Sequence, residues 1–158
     1  MEDAVITGIA YQKDQTKITL HGVVDTPGIA SGILSPISDE DIEVDVIVQN
    51  VSIDDKTDFT FTVSNEDSDS VEKILEDLKT EVDYKKLIIN SDIAKVSLVG
   101  TGMRSQAGVA SKAFRALSEN NVNIQIISTS EIKITMVIDE SLIDKAVNVL
   151  HEEFELEK

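Results

Sequence analysis

The hydrophobic residues of this chain form one pattern that occurs twice. In each copy a short alternating strand enters a glycine-containing loop, and a helix, a second alternating strand, its hairpin partner and a second helix follow. Lys17 aligns with Lys95, which is 78 positions later, and Gly28 aligns with Gly108, which is 80 positions later. The difference places extra loop residues near Met103 in the second copy. We interpret the chain as a tandem duplication of one folding unit.

The apolar positions of both copies have the spacing of strands and amphipathic helices. In copy one the inward residues of the five predicted elements are, in order, Ile18 and Leu20; Ile29, Ile33, Leu34 and Ile37; Ile42, Val44, Val46 and Val48; Phe59, Phe61 and Val63; Val71, Ile74, Leu75 and Leu78. In copy two they are Val96 and Leu98; Val109, Ala113, Phe114 and Leu117; Val122, Ile124 and Ile126; Ile132, Ile134, Met136 and Ile138; Leu142, Ile143, Ala146 and Leu150. Gly32 and Pro36 predict that the first helix is short or kinked near Ser35.

Each copy needs one more strand to complete a sheet. Residues 86–90 (KLIIN) supply a strand after the first copy, and no strand pattern follows the second. We infer that the N-terminal segment 4–10 (AVITGIA) completes the second sheet; the alternative is that each extra strand pairs with the unit that follows it. The predicted fold is α+β, with two ferredoxin-like βαββαβ domains in tandem, each an antiparallel four-stranded sheet with its helices on one face. We expect a first domain over 15–90 and a second over 91–158, the latter with the strand at 3–11.

The charge of the chain limits its partners. It has 30 Asp and Glu against 14 Lys and Arg in 158 residues, a formal charge of −16. This charge repels a phosphate backbone or an anionic membrane, and no local cluster of Lys and Arg offsets it, so neither is an expected partner. Cysteine is absent and the two histidines, His21 and His151, are far apart, so no metal site or cofactor is expected. The chain has no apolar run of membrane length and MEDAVITG lacks the features of a signal peptide, so we expect a cytoplasmic protein.

No catalytic arrangement is recognisable in the sequence. There is no cysteine nucleophile, no GxSxG motif and no histidine beside a serine in a recognisable turn. Residues 99–105 (VGTGMRS) follow a strand and precede a helix, but they lack the third glycine of a dinucleotide-binding loop and lead into an antiparallel hairpin. We therefore predict no catalytic residue in this chain.

The string DTPGIASG, residues 25–32, links the first predicted strand to the first helix. Thr26 is suited to cap that helix and Pro27 to be its first residue. The backbone amides of residues 28–30 lie at the positive end of the helix dipole, where they favour a carboxylate, and Asp25 places a negative charge close by. An α-amino acid carries the two charges that such a loop binds. Simple capping of the helix is the alternative interpretation.

The repeated unit with this loop resembles the ACT domain, a small-molecule-sensing module that commonly binds amino acids. Residues 23–30 (VVDTPGIA), 48–52 (VQNVS) and 58–62 (DFTFT) resemble the first ACT domain of aspartate kinase. Residues 95–103 (KVSLVGTGM) and 121–133 (NVNIQIISTSEIK) resemble its second ACT domain. The resemblance covers nearly the whole chain, and ISTSEIK is a quite specific stretch of it.

This resemblance implies a regulatory function. In that family the ACT pair controls the enzyme that phosphorylates the side chain of aspartate, the first step towards lysine, threonine and methionine, and threonine, lysine or both are feedback inhibitors. The family's kinase domain precedes the pair and is absent from this chain, so the resemblance implies a non-catalytic chain that partners the catalytic subunit or domain. A start at Met1 fits a separate regulatory subunit or a regulatory fragment. The alternative is a structural dimerisation module of the kinase that binds no effector by itself.

The resemblance also implies which residues bind the effector. ACT pairs of the family associate side by side as homodimers, so one chain contributes the first loop and the end of a strand, and its partner contributes its second copy. The implied effector-binding residues are Asp25, Pro27, Gly28, Ile29, Ala30, Gln49, Asn121, Asn123 and Ile124. The loop amides would bind the effector's carboxylate, Asp25 or a carbonyl its ammonium, and Gln49 or an Asn a side-chain hydroxyl. The second copy carries Arg104 in its corresponding loop, which disfavours an equivalent second site.

Overall fold

The computed structural model describes residues 5–51, 54–101 and 106–155, and it divides the chain into two compact units. The central unit is Asp14–Ser91, and the terminal unit joins the chain up to Lys13 to the chain from Asp92 onward. The units are defined by contacts between residues of the chain. The domain limits expected from the sequence, 15–90 and 91–158, stay a prediction.

The described elements follow the order predicted from the two repeats. The strands are β1 Val5–Val24, β2 Asp45–Val51, β3 Lys56–Ser64, β4 Lys86–Thr101, β5 Ile124–Thr129 and β6 Lys133–Asp139. The helices are α1 Ile29–Ser38, α2 Ser68–Leu78, α3 Gln106–Glu119 and α4 Ile143–Glu153, and one-turn 3₁₀ helices at Asn65–Asp67 and Glu140–Leu142 lead into α2 and α4. The strand order is β2-β3-β1-β4 in the central unit and β1-β4-β6-β5 in the terminal unit. The predicted α+β fold with two βαββαβ units is confirmed.

Strands β1 and β4 are longer than the sequence pattern predicts. The segment 4–10 and the strand around Ile18 were expected to be separate, yet β1 runs without interruption through 20 residues. Likewise β4 runs through 16 residues. The first part of β1 belongs to the terminal unit and the rest to the central unit, and the change falls between Lys13 and Asp14. Asp14 has a φ of 58°, a left-handed conformation that Asp tolerates better than most residues.

The N-terminal part of β1 completes the sheet of the second copy. Ile6 and Ile9 pack against the core of the terminal unit. Between them, the Thr7 hydroxyl donates a hydrogen bond of 3.1 Å to the Val99 carbonyl. The beginning of β4 packs instead on the central core. The pairing inferred from the sequence is thus present, and the alternative, in which each extra strand joins the unit that follows it, is wrong.

Each unit has its own hydrophobic core between its helices and one face of its sheet. The central core contains Ile18, Leu20, Val23, Ile33, Ile37, Phe59, Phe61, Val63, Val71, Leu75, Leu78, Val82 and Tyr84. The terminal core contains Ala94, Val96, Leu98, Val109, Ala113, Leu117, Val122, Ile134, Met136, Ile138, Ile143, Ala146 and Leu150. The inward positions predicted for the helices are confirmed, although five of them are only partly buried: Ile29, Leu34, Ile74, Phe114 and Leu142.

The strict alternation predicted for the second strand of each copy is wrong. In copy one the strand begins at Asp45, so Ile42 and Val44 precede it, and its pairing with β3 shifts between Asp45 and Val48. Val46, inside that shift, has a φ of 46°. A bulge adds a residue to one strand and so reverses which face the following side chains occupy.

The second copy shows the same kind of departure from alternation. The pairing of β5 with β6 shifts between Ile124 and Ile126. Ile132, predicted as an inward residue of the last strand, precedes β6 and is 59% exposed. Period-two spacing therefore located both hairpins but did not reveal their irregular ends.

Helix α1 is short, as its glycine and proline predict. It has 10 residues, whereas its counterpart α3 has 14. Pro36 lies inside it, and proline has no N–H to donate to the carbonyl of Gly32, four residues earlier. No helix in the three described ranges is both long and apolar enough to cross a membrane.

The C-terminus of α2 is stabilised by the segment that follows it. The last carbonyls of a helix have no intrahelical partner. Here the buried Tyr84 hydroxyl donates to the Leu75 carbonyl at 2.8 Å, and the Lys79 amide donates to the Glu76 carbonyl. The Val82 amide donates to the Leu78 carbonyl at 2.9 Å. These bonds hold residues 79–84 against the helix and bring the chain to the start of β4.

Replacing Tyr84 by Phe tests this arrangement. The ring stays buried but the Leu75 carbonyl loses its hydroxyl partner, so we expect a loss of about 1 kcal/mol of stability. Urea unfolding followed by circular dichroism measures it. Tyr11→Phe is the matched control, because Tyr11 is 53% exposed and should tolerate the change. Equal effects of the two substitutions would contradict the assigned role of the Tyr84 hydroxyl.

Asp139 caps the helical segment that leads into α4. The Ser141 hydroxyl donates to Asp139 Oδ1 at 2.7 Å and the Ser141 amide donates to the same atom at 2.9 Å, and these two bonds lower the pKa of the Asp139 carboxyl. A carboxyl whose pKa is lower in the folded state stabilises that state while it is ionised. This stabilisation is complete above the pKa of the unfolded chain and is lost as the pH falls through the folded value.

We therefore expect Asp139→Ala to lower the urea midpoint of unfolding at pH 7, and the difference from wild type to shrink below about pH 4. Asp139→Asn keeps a side-chain oxygen that accepts both bonds, so it should lose less stability. A difference between wild type and Asp139→Ala that stays constant with pH would show that the ionised carboxyl contributes nothing.

Candidate functional site

The loop between β1 and α1 is the first part of the candidate site, and its geometry differs from the predicted capping. Gly28, rather than Thr26, is the cap residue of α1, and no side chain caps this helix. The Thr26 carbonyl accepts a bond of 3.1 Å from the Ile29 amide, and Pro27 precedes the helix. The prediction that Thr26 caps α1 and that Pro27 is its first residue is therefore wrong, because a tight turn over residues 26–29 comes first.

Gly28 makes this turn possible. Its φ of 88° and ψ of 1° lie in the left-handed region that residues with a Cβ rarely adopt. No heavy atom lies within 4 Å of where a Cβ would be, so the turn presents an open surface. Its carbonyl accepts the first bond of the helix, from the Gly32 amide at 2.9 Å. The glycine is thus required by its conformation, and it leaves room beside the helix start for another molecule.

Asp25 lies at the exposed base of this loop. Its amide donates to the Asp55 carbonyl at 2.8 Å, which ties the loop to the turn between β2 and β3. Within the part of the chain that the structure describes, its carboxylate has no hydrogen bond or ion pair. The carboxylate is therefore accessible to a cationic group from outside the central unit.

Gln49 lies on the same face of the sheet as α1. It is directly opposite Phe59, which is directly opposite Leu20. Opposed residues of antiparallel strands point to one face, and both of these partners are in the core beneath the helices. Gln49 itself is exposed, on the edge strand β2. Its amide is therefore at the rim of the helix-covered face.

The predicted set of free amides is smaller in the structure. Ile29 and Ala30 are only partly buried and pack on the central core. The Ile29 amide is already bonded to the Thr26 carbonyl, so it is not available to a ligand carboxylate without a change in the turn.

The remaining predicted residues line a pocket of the terminal unit. Asn121, Asn123 and Ile124 surround an open pocket of about 530 Å³ with four further residues: Phe114, Ser118, Val122 and Ile127. The lining combines four apolar residues with two asparagines and one serine. Such a combination of apolar surface and a few polar groups is typical of small-molecule and interface sites.

Asn121 also has a structural role. It follows α3 with a φ of 60°, and the Val122 amide donates to the Leu117 carbonyl at 2.9 Å. This is a left-handed helix end, where Asn is tolerated. Asp41 has the same place after α1, with a φ of 58°. The helix ends are thus shared by both copies, while the side chains differ in charge.

The remaining sequence features either lie outside the described residues or form no metal-binding cluster within them. Arg104 and most of the glycine-rich part of VGTGMRS fall at 102–105, outside the described ranges. Among the residues that are described, no three His, Asp or Glu side chains are close enough together to hold a metal ion.

Sequence reasoning missed one feature at the base of the loop. Strand β1 has a bulge at His21 and Gly22, and Asp58 of β3 contacts both residues. A glycine inside a strand pattern is the signal that indicates such a bulge.

The comparisons with known proteins agree with this fold. ACT-domain family models match residues 18–83 and 96–154. An aspartate kinase of Pseudomonas fluorescens (strain SBW25) is 53% identical over 157 residues, which are 99% of this chain and 38% of that protein. The chain therefore spans well under half the length of that relative.

Solved structures give the same result, and the matches cover nearly the whole of both chains. A chain in the crystal structure of aspartokinase alpha and beta subunits has a TM-score of 0.89 and 45% identity, and the match covers 96% of this chain and 100% of that one. The ligand-free regulatory subunit of aspartate kinase from Thermus thermophilus has a TM-score of 0.88 and 33% identity, covering 95% and 99% of the two chains.

The two βαββαβ units, with a glycine turn at the start of α1, define a protein of two ACT domains. The chain belongs to the aspartate kinase family and corresponds to its regulatory ACT pair.

Two glycine substitutions in α1 and its cap test the geometry of the loop. Gly28→Ala forces a side chain into a left-handed conformation and should destabilise the chain by about 1–2 kcal/mol. Gly32→Ala lies in the helix interior, with no atom within 4 Å of the new Cβ, and should stabilise it by about 0.5–1 kcal/mol. Urea unfolding of both variants measures the difference. Effects of the same sign would contradict the left-handed turn at Gly28.

Proposed function

We propose that this chain binds threonine, lysine or both and thereby transmits feedback inhibition to an aspartate kinase. The kinase phosphorylates aspartate at the start of lysine, threonine and methionine biosynthesis. The observation that carries the proposal is the open loop 25–30, which places an unpaired carboxylate beside a helix N-terminus in a chain of this family.

The chemistry of the loop fits an α-amino acid. The exposed Asp25 carboxylate suits the ligand's ammonium, and the N-terminal turn of α1 suits its carboxylate, because helix N-termini favour anions. Pro27 and Gly28 shape the turn that separates these two groups. The Gln49 amide, on the face that α1 covers, suits a hydroxyl or ammonium group on the ligand's side chain.

A homodimer completes the proposed site. The partner subunit's Asn121, Asn123 and Ile124 would close over the ligand from the pocket of its terminal unit. Edge strands are surfaces on which chains associate. Ile47 of the edge strand β2 is 51% exposed and Ile127 of the edge strand β5 is 46% exposed. These isoleucines occupy equivalent positions of the two copies, which supports association through both edges.

The chain itself would be non-catalytic in this proposal. In the Pseudomonas fluorescens relative the matching segment is 38% of the length, and the phosphoryl transfer would take place in a kinase domain or a separate catalytic subunit. The effector would act by favouring one arrangement of the ACT pair over another, since a ligand shifts an equilibrium only by binding its states unequally.

A second candidate function is assembly without effector binding. The exposed isoleucines on both edge strands favour it, because they would support association whether or not an amino acid is bound. In that case sedimentation would show a dimer whose stability is the same with and without every amino acid.

Isothermal titration of the chain with threonine, lysine and methionine tests the proposal, and we expect heat and a thermal shift with threonine, lysine or both. Asp25→Ala should weaken binding about tenfold because the ligand's ammonium loses its counter-charge. Asp39→Ala is the matched control, since it removes the same charge from the other end of α1. The Asp39→Ala variant should bind threonine or lysine with the wild-type affinity.

Three results would count against these assignments. The absence of heat and of a thermal shift with every amino acid would contradict a sensor function of this chain. Equal affinities of Asp25→Ala and wild type would remove Asp25 from the site. Binding that does not weaken when the protein is diluted to the monomer would contradict a site shared between two chains.

A further inference from the structure

We propose that Asp58 is a positioning residue for the effector loop, which is the loop of residues 25–30. Its carboxylate holds the bulge of β1 that precedes this loop. The inference rests on the proposed function of that loop. It concerns a residue of β3 that lies outside the predicted ligand contacts.

The bulge interrupts an otherwise regular pairing of β1 with β3. Leu20 is opposite Phe59, and Val23 is opposite Thr57. Two residues of β1, His21 and Gly22, therefore share a single opposite residue, Asp58. A bulge of this kind bends the strand, increases its twist and re-aims the residues that follow.

Asp58 binds both residues of the bulge through one carboxylate oxygen. The Gly22 amide donates to Oδ1 at 3.0 Å, and the Nδ1–H of His21 donates to the same atom at 2.8 Å. The extra residue of a bulge loses its partner in the strand ladder. The side chain of Asp58 thus provides the acceptor that the backbone of β3 does not.

The other side of the bulge is held by the segment before β4. The Lys85 amide donates to the His21 carbonyl at 2.9 Å. The Lys85 side chain lies over Gly22, where an added Cβ would be 3.0 Å from its Cγ and Cδ. Gly22 also has a φ of 67°, so both its conformation and its surroundings require glycine.

Hydrogen bonds also hold the residues between the bulge and the loop. The Val24 amide donates to the Asp83 carbonyl at 3.0 Å, and the Asp25 amide donates to the Asp55 carbonyl at 2.8 Å. Val23, between them, is fully buried. The path from the bulge to Asp25 is therefore fixed, and a change in the twist at Gly22 is passed to the Asp25 carboxylate and to the turn at Gly28.

The Asp58 side chain lies at the bulge and does not belong to the hydrophobic core. This side chain is 41% exposed, and Phe59 next to it is the core residue. Removing it should leave the core intact, while Gly22 loses its acceptor and the bulge loses its preferred twist. The expected effect is on the placement of the loop and hence on effector affinity.

Three variants of the chain separate positioning from bulk stability. Asp58→Ala removes the acceptor and should weaken threonine or lysine binding about tenfold. Asp58→Asn keeps a side-chain oxygen that accepts both bonds, so its affinity should be within about twofold of wild type. Asp77→Ala removes an equal charge from the exposed face of α2 and should bind as wild type does. Titration calorimetry gives the affinities.

Amide NMR spectra of the ligand-free variants supply a second readout. The signals of residues 25, 26 and 28–30 should shift in Asp58→Ala and return to their wild-type positions in Asp58→Asn. If wild type binds neither amino acid but these shifts occur, the positioning role stands and the proposed function falls. If wild type binds, and Asp58→Ala binds equally with unmoved loop signals, the positioning role is overturned.

Discussion

The structure depends on the pairing of the beginning of the chain with the end part of β4. Without residues 5–13, the second copy would have three strands, and β4 would expose a row of backbone donors and acceptors next to a hydrophobic core. Ile6 and Ile9 add side chains to that core, and the Thr7 hydroxyl bonds to the Val99 carbonyl. One compact unit is therefore closed by segments from both ends of the sequence, and the central unit is inserted between them in the chain.

The loop after β1 is supported by the same strand. Two left-handed glycines, Gly22 and Gly28, stand on either side of Asp25. The first creates a bulge and the second creates the turn into α1. Between them the backbone is bonded to neighbours on both sides, so the exposed carboxylate is placed by a rigid support rather than by a free loop. Preorganisation of this kind reduces the entropy lost when a ligand binds.

Duplication kept the framework of the unit and changed its chemistry. Both copies end their first helix with a left-handed residue, Asp41 in one and Asn121 in the other. The two residues have the same backbone conformation, but the one in the first copy is acidic and the one in the second is neutral. The pocket of about 530 Å³ is lined by the neutral copy. The two copies thus share a fold and a helix end but present different side chains there.

The sequence by itself determined the repeat, the order of strands and helices and the inward faces of the four helices, because apolar spacing directly reflects burial. It also indicated the loop at Asp25 and the missing fourth strand of the second copy. It did not determine the unbroken length of β1, the cap at Gly28 or the bulge at Gly22, where the predictions of Thr26 as cap and of strict alternation in β2 failed. The bulge and the path of the chain from it to Asp25 depend on hydrogen bonds to residues distant in sequence, such as Asp55, Asp58 and Asp83. Only the tertiary structure brings those partners together, since a local pattern contains no information about which remote carbonyl or carboxylate a backbone amide will meet.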